Sequence, residues 1–348
     1  MAGIALDLVL ERPGKAFEWG EVVRGHVRAT VPHDCSAAAL VVVLYCKGFY
    51  ESKNFKATTE KENIEQKLFK GAWTEGTYEY SFEIVVPHGP FTYRGHIFEV
   101  TWHVGARARA SGGEDVKTEM EIIVQPAKRA SDTGGPRNSG EVVYTQSARS
   151  LKGFFVFSFL IFLVGLFVGW RNSPFAEGTD GGLFFFGGVI PMVLGLALLF
   201  CTIWQTLVNK RIKKAEVRLG SRVVRRGDKI PCSLTFHANL PFEVEKITAT
   251  LTAEEIVDFR HSSSKSSGKF CKHLLYEASH ELPLAVKQVQ ANVPVRVQGD
   301  VPVPEDIPCS INLMESDEGM AVRWRLDLNI WMKNWPDWLH LEDITVVP

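Results

Sequence analysis

Two apolar segments in the middle of the chain constrain its fold more than any other feature. Phe154–Trp170 and Leu183–Val208 contain no charged residue. At about 1.5 Å of helical rise per residue, each segment is long enough to cross most or all of a hydrocarbon layer roughly 30 Å thick. We therefore predict a transmembrane helical hairpin over residues 151–208, with helices at about 153–170 and 183–208.

The residues around these segments predict the side of the membrane on which the rest of the chain lies. Basic side chains occupy the outer flanks of the pair, whereas the short connection 171–182 carries one arginine and two carboxylates. Lysine and arginine near membrane ends stay in the cytoplasm, so we expect a two-pass integral membrane protein with cytoplasmic N- and C-terminal parts. The alternative is a pair of buried core helices in a soluble protein. The flanking basic residues are Lys152, Lys210, Arg211, Lys213 and Lys214.

Glycines recur at helix-packing spacing in both apolar segments. The first segment holds Gly165 and Gly169, a GxxxG pair that permits close approach of two helices. The second holds Gly187, Gly188 and Gly195, which favour tight packing against the first. Neither segment contains an acid, a base or a row of polar groups, so we interpret the hairpin as an anchor and not a conduit. The same glycine faces also allow self-association through the hairpin.

Composition narrows the function classes. The 348 residues leave enough chain on each side of the hairpin for one domain with its own core. The formal net charge of −1 gives no indication of nucleic acid as a partner. The six cysteines are scattered singly without a CxxC pair, which favours a reducing compartment over a disulfide framework or a zinc site. Met1–Leu10 lacks the basic and apolar regions of a signal peptide.

Both flanking parts show the alternating pattern of β-strands. Residues 1–126 contain many short strands with turn residues between them, and a charged loop is expected over 51–67. Residues 127–150 are rich in Gly, Ser and Arg and are interpreted as a polar linker, with an extended piece at 142–145. The strand pattern resumes over 215–348. We predict a mainly β protein with two β-sandwiches and a two-helix hairpin between them.

A weak internal repeat relates the two flanking parts. Four features occur in the same order in each part, and together they predict two related sandwiches. The matched pairs are Glu21–Val27 with Val223–Lys229, Val41–Val43 with Ile247–Ala253, Val86–Pro87 with Val301–Pro304, and Val100–Val104 with Val322–Leu326.

These features resemble the arrestin-like fold, which includes the arrestin-domain-containing proteins and bacterial proteins of the sporulation-control type. The resemblance rests on the turn and strand Trp19–Val27, the proline-ended strand Gly76–Pro90 and the strand Phe98–Ala106, and it extends more loosely over 215–348. It implies two immunoglobulin-like sandwiches and an adaptor that binds other proteins through strand edges and loops. The membrane hairpin departs from the soluble family pattern, and the chain has no PPxY motif.

Short catalytic motifs are absent from the sequence, so we predict no catalytic residue, no cofactor and no metal site. His103 lies on the opposite phase from Trp102 and is expected on the outer face of its strand. Cys271 and His273 are a nucleophile and a base close together in the sequence, but no orienting acid accompanies them, so we predict no catalysis there. Trp102 and Trp324 share the phase of their apolar neighbours and are expected in the core.

Three tryptophans near the C-terminus are candidates for a contact surface. Trp331 falls on the outer phase of its strand, and Trp335 and Trp338 follow it in a turn. Together they predict an exposed apolar patch that contacts a partner, the other sandwich or the membrane interface. The alternative is packing beneath the C-terminal tail 344–347.

The leading functional hypothesis is a membrane-anchored, non-enzymatic adaptor or scaffold whose two sandwiches lie side by side at the cytoplasmic surface. Its expected partners are the lipid bilayer and one or more proteins. Two alternatives stay open. One is an accessory subunit of a membrane transport or envelope complex that docks through its helices, and the other is an enzyme whose site short motifs do not reveal.

Overall fold

The computed structural model describes residues 4–53, 55–110, 115–126, 142–147, 152–171, 184–259, 269–315 and 318–348. Strands make up most of these residues and helices a small part, so the prediction of a mainly β protein is confirmed. Residues 172–182 of the predicted connection, most of the predicted linker and most of the Ser-rich stretch 261–269 of the sequence lie outside the described residues.

The first half of the chain forms a small sheet and a large sheet. Its strands are β1 (Ala5–Leu10), β2 (Ala16–Glu18), β3 (Val22–Val31), β4 (Cys35–Ser52), β5 (Phe55–Trp73), β6 (Gly76–Val85), β7 (Tyr93–Arg94), β8 (Glu99–Ala110) and β9 (Val116–Gln125). The small sheet has the order β1-β3-β6, and the large sheet has the order β2-β9-β8-β4-β5 with β7 beside β8. Alternating residues on β3, β4 and β8 are buried in a shared apolar core.

The predicted charged loop over 51–67 is wrong, because most of these residues belong to the long strand β5. β5 pairs with β4 along its length and forms an edge of the large sheet. Its many lysines and glutamates suit an edge, where charged side chains discourage pairing with another chain. Charge density alone therefore does not separate a loop from an edge strand.

The middle of the chain contains a strand and two helices. Strand β10 (Val142–Ser147) precedes helix α1 (Lys152–Arg171), and a π-helical turn (Phe184–Val189) runs into helix α2 (Ile190–Arg211). The helices pack antiparallel, because Phe162 contacts Gly195 whereas Gly169 contacts Gly188. By length and composition, Ile190–Val208 is apolar enough to cross a membrane, and Val156–Arg171 is a shorter apolar stretch.

The second half repeats the strand order of the first. Its strands are β11 (Ile212–Leu219), β12 (Val223–Arg225), β13 (Lys229–Ala238), β14 (Phe242–Asp258), β15 (Phe270–Glu281), β16 (Gln288–Val289), β17 (Pro294–Pro302), β18 (Ile311–Glu315), β19 (Glu318–Met332) and β20 (Trp338–Val347). The order β11-β13-β17 corresponds to β1-β3-β6, and β12-β20-β19-β14-β15 corresponds to β2-β9-β8-β4-β5. The short strands β2 and β12 each pair in parallel with the last strand of their half.

Equivalent hydrogen bonds identify the matching residues of the two halves. Gly20 and Gly227 both adopt positive φ, and their N–H groups donate to Val86 O and Val303 O respectively. The predicted match of Gly25 with Gly227 is therefore wrong by five residues, because the left-handed turn and not the following strand carries the repeat. Trp102 and Trp324 are buried, and each indole N–H donates to a proline carbonyl, at 2.9 and 3.0 Å.

Candidate functional site

The two halves are joined by one buried carboxylate. Glu255 on β14 is fully buried and accepts hydrogen bonds from the Tyr93 hydroxyl and from the N–H groups of His96 and Ile97, at 3.0 to 3.1 Å for the two amides. A Cβ at Gly95 would overlap the Glu255 carboxylate, so only glycine admits it. Three donors from the first half thus hold an acidic side chain of the second.

Stacked and apolar contacts surround this joint. The rings of His96 and His273 stack with centroids 4.2 Å apart, and Phe55 meets Phe259 at 6.1 Å. Burial, followed by the hydrogen bond to Glu255, raises the pKa of Tyr93 well above its ordinary range, so this hydroxyl stays a donor. The joint is therefore an ordered interface.

The joint lies at the far end of the second half from the helices. Glu255 is near the C-terminal end of β14, whereas Asn239, just before β14 begins, donates its N–H to Arg211 O at the end of α2. At roughly 3.3 Å per residue, the part of β14 from its first residue, Phe242, to Glu255 is about 40 Å long. The two halves therefore meet near the ends of their large sheets, and their side-by-side placement at a membrane surface stays a prediction.

A groove of about 510 Å³ crosses the outer face of the large sheet of the second half. Its floor is a ladder of Thr248, Thr250 and Thr252 on β14, and Arg325, Asp327 and Trp331 on β19 form one side. Leu274, Glu277 and Ser279 on β15 form the other side. We refer to this surface as the outer groove.

The outer groove is polar and carries charges of both signs. The Arg325 guanidinium forms two hydrogen bonds with Asp327, at 2.7 and 3.1 Å, and Lys272 contacts Glu254 at 3.0 Å near one end. The Thr250 hydroxyl donates to Ser279 across the floor at 3.1 Å. This lining offers hydrogen-bond donors, acceptors and small apolar contacts, as surfaces that bind peptides do.

The three candidate tryptophans lie in different environments and do not form one patch. Trp331 lies on the outer face as predicted, where its indole donates to Thr248 at 3.0 Å and Lys246 lies over the ring. Trp338 is only 4% exposed, so its place in an exposed patch is wrong; its phase on β20 turns it into the core. Trp335 is half-buried against the core, and the Arg211 guanidinium lies 3.7 Å from its ring centroid.

The basic residues flanking α2 have different environments. Arg211 stacks on Trp335 and donates to Pro241 O at 2.7 Å, so it fixes the end of the helix to the second half. Lys213 and Lys214 are exposed on β11, and Lys214 approaches Glu216 at 3.9 Å. Lys152 and Lys210 belong to α1 and α2.

A second polar contact fixes the strand that precedes α1. The Tyr144 hydroxyl on β10 donates to Glu342 on β20 at 2.6 Å, and Arg222 approaches the same carboxylate at 2.6 Å. β10 also pairs with β11 along its whole length. Both helices are therefore attached to the second half through ordered strands.

The helix glycines lie at the contact between α1 and α2. A Cβ at Gly188 would lie 2.5 Å from Gly169 Cα, and one at Gly195 would lie 2.6 Å from Phe162 N. Gly165 faces Met192 and Gly188, whereas Gly187 lies in the π-helical turn. These glycines therefore serve packing within the pair, which leaves other faces of the helices for other contacts.

The large sheet of the first half carries a polar cluster on its outer face. Glu119 accepts a hydrogen bond from the Tyr45 hydroxyl, and the His103 ring stacks on Tyr45 with centroids 5.5 Å apart. Donation by Tyr45 lowers the pKa of Glu119, and burial followed by the Lys47 charge lowers the pKa of His103. His103 thus lies on the outer face as predicted, but it is half-buried.

Cys271 and His273, the candidate nucleophile and base, are two residues apart on one strand. Both lie on β15, and the His273 ring stacks on His96 at the joint. Within the described residues, no group of three or more His, Cys, Asp and Glu side chains is arranged to hold a metal ion. The five cysteines whose side chains are described form no disulfide.

Glu255 and the threonine ladder were not predicted from the sequence. The alternation Ile247, Ala249, Leu251, Ala253 on the core side of β14 places Glu255 at the next inward position. A carboxylate at an inward position requires a buried hydrogen-bond partner, so the phase of Glu255 on this strand was the sequence signal for a buried polar contact. No protein-family model matches this chain, and no curated protein matches it closely enough to indicate a relationship.

Proposed function

We propose that this protein is a membrane-anchored, non-catalytic adaptor of the arrestin-like kind, with both β halves on the cytoplasmic side. The helix pair holds it in the bilayer, and the β halves bind a segment of another protein. The observation that carries this proposal is the attachment of an apolar, outward-exposed helix pair to a half that presents an open polar groove.

The surface of the helix pair supports the membrane anchor. Large apolar side chains face outward on both helices, with Phe167 64% and Phe200 64% exposed. Trp170, at the end of α1, is 80% exposed, as suits a tryptophan at a membrane interface. Core helices of a soluble protein bury such side chains, whereas most of the large apolar side chains described on these helices are exposed.

The outer groove supports the adaptor function. It is bounded on one side by β15, which ends the order of strands in its sheet and has no further strand partner among the described residues. An edge strand can pair with an extended segment of another protein, and the adjacent groove can then receive its side chains. The fixed joint at Glu255 presents both large sheets as one body.

The test is capture of partners in intact membranes by a C-terminally tagged chain with a blocked groove. Ser279→Trp fills the groove between β15 and the threonine ladder, and Ser81→Trp places the same side chain on an exposed position of β6 in the first half. We expect proteins captured by the unaltered chain to be lost with Ser279→Trp and retained with Ser81→Trp. Equal capture by both variants, or capture of this chain alone, would contradict the proposal.

A further inference from the structure

Three loops of the second half converge on the end of α2. The turn 239–241 is held there by the hydrogen bonds between Asn239 N–H and Arg211 O and between Arg211 and Pro241 O, each 2.7 Å. The segment 285–293 follows, because Val244 N–H donates to Lys287 O and Asn292 N–H donates to Ala238 O. The turn 333–336 completes the group, since Lys333 N–H donates to Glu243 O. We call these three segments the junction loops.

The junction loops expose apolar side chains at their tips. Leu240 is 47% exposed, Val286 56% and Val293 48%. These residues come from two different loops that the hydrogen bonds above hold together, so their exposure belongs to one end of the molecule. Trp335 lies in the third loop and stacks on Arg211.

Cations accompany this apolar surface. Lys287 is adjacent to Val286 and exposed, and Lys213 is exposed one residue after β11 begins. Lys333 contacts Glu243 at 3.0 Å, which pairs one of the acidic side chains near this end. Apolar tips with neighbouring lysines match the layered chemistry of a bilayer surface, where acyl chains lie beneath anionic head groups.

We propose that the junction loops rest in the head-group layer of the bilayer, with Leu240, Val286 and Val293 inserted and Lys213 and Lys287 at the lipid phosphates. The occupant is lipid because α2 passes into β11 without an intervening residue, which brings these loops to the membrane surface wherever the helix leaves it. The inference rests on the proposed membrane anchoring and adds the face of the second half that lies on the membrane. Arg211, held by Trp335, then fixes the second half relative to the helices.

The test uses photocrosslinking to lipid in the full chain, reconstituted in nanodiscs of phosphatidylcholine and phosphatidylglycerol. The photoreactive residue p-benzoylphenylalanine replaces Val286 in one variant and Val85 in its matched control, an equally exposed valine on β6 of the first half, at 54%. A third variant carries it at Phe167 on the outer face of α1 and reports membrane insertion of the helices. Mass spectrometry measures the lipid adducts.

We expect lipid adducts at Phe167 and Val286, with Val286 giving about tenfold more than Val85, as an inserted and a water-exposed position should differ. Adducts at Phe167 with Val286 no higher than Val85 would overturn the placement of the junction loops and leave the membrane anchor standing. An absence of adducts at both Phe167 and Val286 would overturn the membrane anchor together with this inference.

Discussion

The Glu255 carboxylate of the second half occupies the space that a side chain at Gly95 of the first half would fill. The two halves are therefore in direct contact at this point. The backbone beyond Gly95 turns two consecutive N–H groups, those of His96 and Ile97, towards the same carboxylate. Because Glu255 is fully buried, its carboxylate oxygens depend on these donors and on the Tyr93 hydroxyl for their hydrogen bonds.

Replacement of Glu255 by alanine should loosen this joint. The substitution leaves three donors without their acceptor in a buried place, so we expect a loss of about 3 kcal/mol in the free energy of unfolding. Hydrogen exchange measured by mass spectrometry on residues 93–98 should become faster. Glu254→Ala is the control, because Glu254 faces the outer groove and its ion pair with Lys272 lies in a solvent-accessible place, where such a pair contributes less than about 1 kcal/mol. Similar exchange in both variants would argue against the joint.

Replacement of Gly195 by isoleucine should separate the two helices. A side chain there meets Phe162 at 2.6 to 2.8 Å, so the helices must move apart at a cost of about 2 kcal/mol. Thermal denaturation in detergent measures the effect. Ala197→Ile lies two residues further on the same helix at an exposed position, and we expect it to leave the denaturation temperature unchanged. If the two variants denature alike, the tight contact between the helices is not present.

Replacement of Arg211 by lysine tests the link between α2 and the second half. Lysine keeps the charge but loses the planar stack on Trp335 and the hydrogen-bond geometry to Pro241, so we expect a loss of about 1 kcal/mol. Trp335→Leu should cost a similar amount. Because both substitutions remove the same contact, the double variant should cost less than their sum, and full additivity would show that the two side chains act independently.

Stability should fall in mildly acidic solution because of His103. Its pKa in the folded protein is lowered below the ordinary value of 6.5, so the unfolded chain binds a proton more readily than the folded chain. The stabilising contribution of neutral His103 is complete above that ordinary value and declines as the pH falls through it towards the lowered pKa. We expect His103→Gln to lose less stability than the unaltered chain between about pH 7 and pH 5 in denaturant titrations. An unchanged pH dependence would remove His103 as its source.

The sequence by itself determined the mainly β class, the helical positions of the two apolar segments and the core positions of Trp102 and Trp324. These features depend on local hydrophobic period, which a chain displays residue by residue. The order of the repeated features could be predicted from the sequence, but their register could not. The register depends on the positive φ of Gly20 and Gly227, and the sequence does not show which glycine adopts a positive φ. Strand β5 was not predicted because a segment rich in charged residues has the composition of a loop, and its pairing with β4 is not visible in the sequence.

Only the tertiary structure decided where the halves meet, which glycines face each other and which tryptophans are buried. Glu255 and its donors lie at sequence separations of 158 to 162 residues, and Arg211 meets a ring 124 residues further along the chain, that of Trp335. Such contacts arise when sheets pack and loops converge, and no local pattern encodes the partner of a side chain. The outer groove and the junction loops have the same origin, since each is assembled from strands or turns that adjoin only in the folded chain.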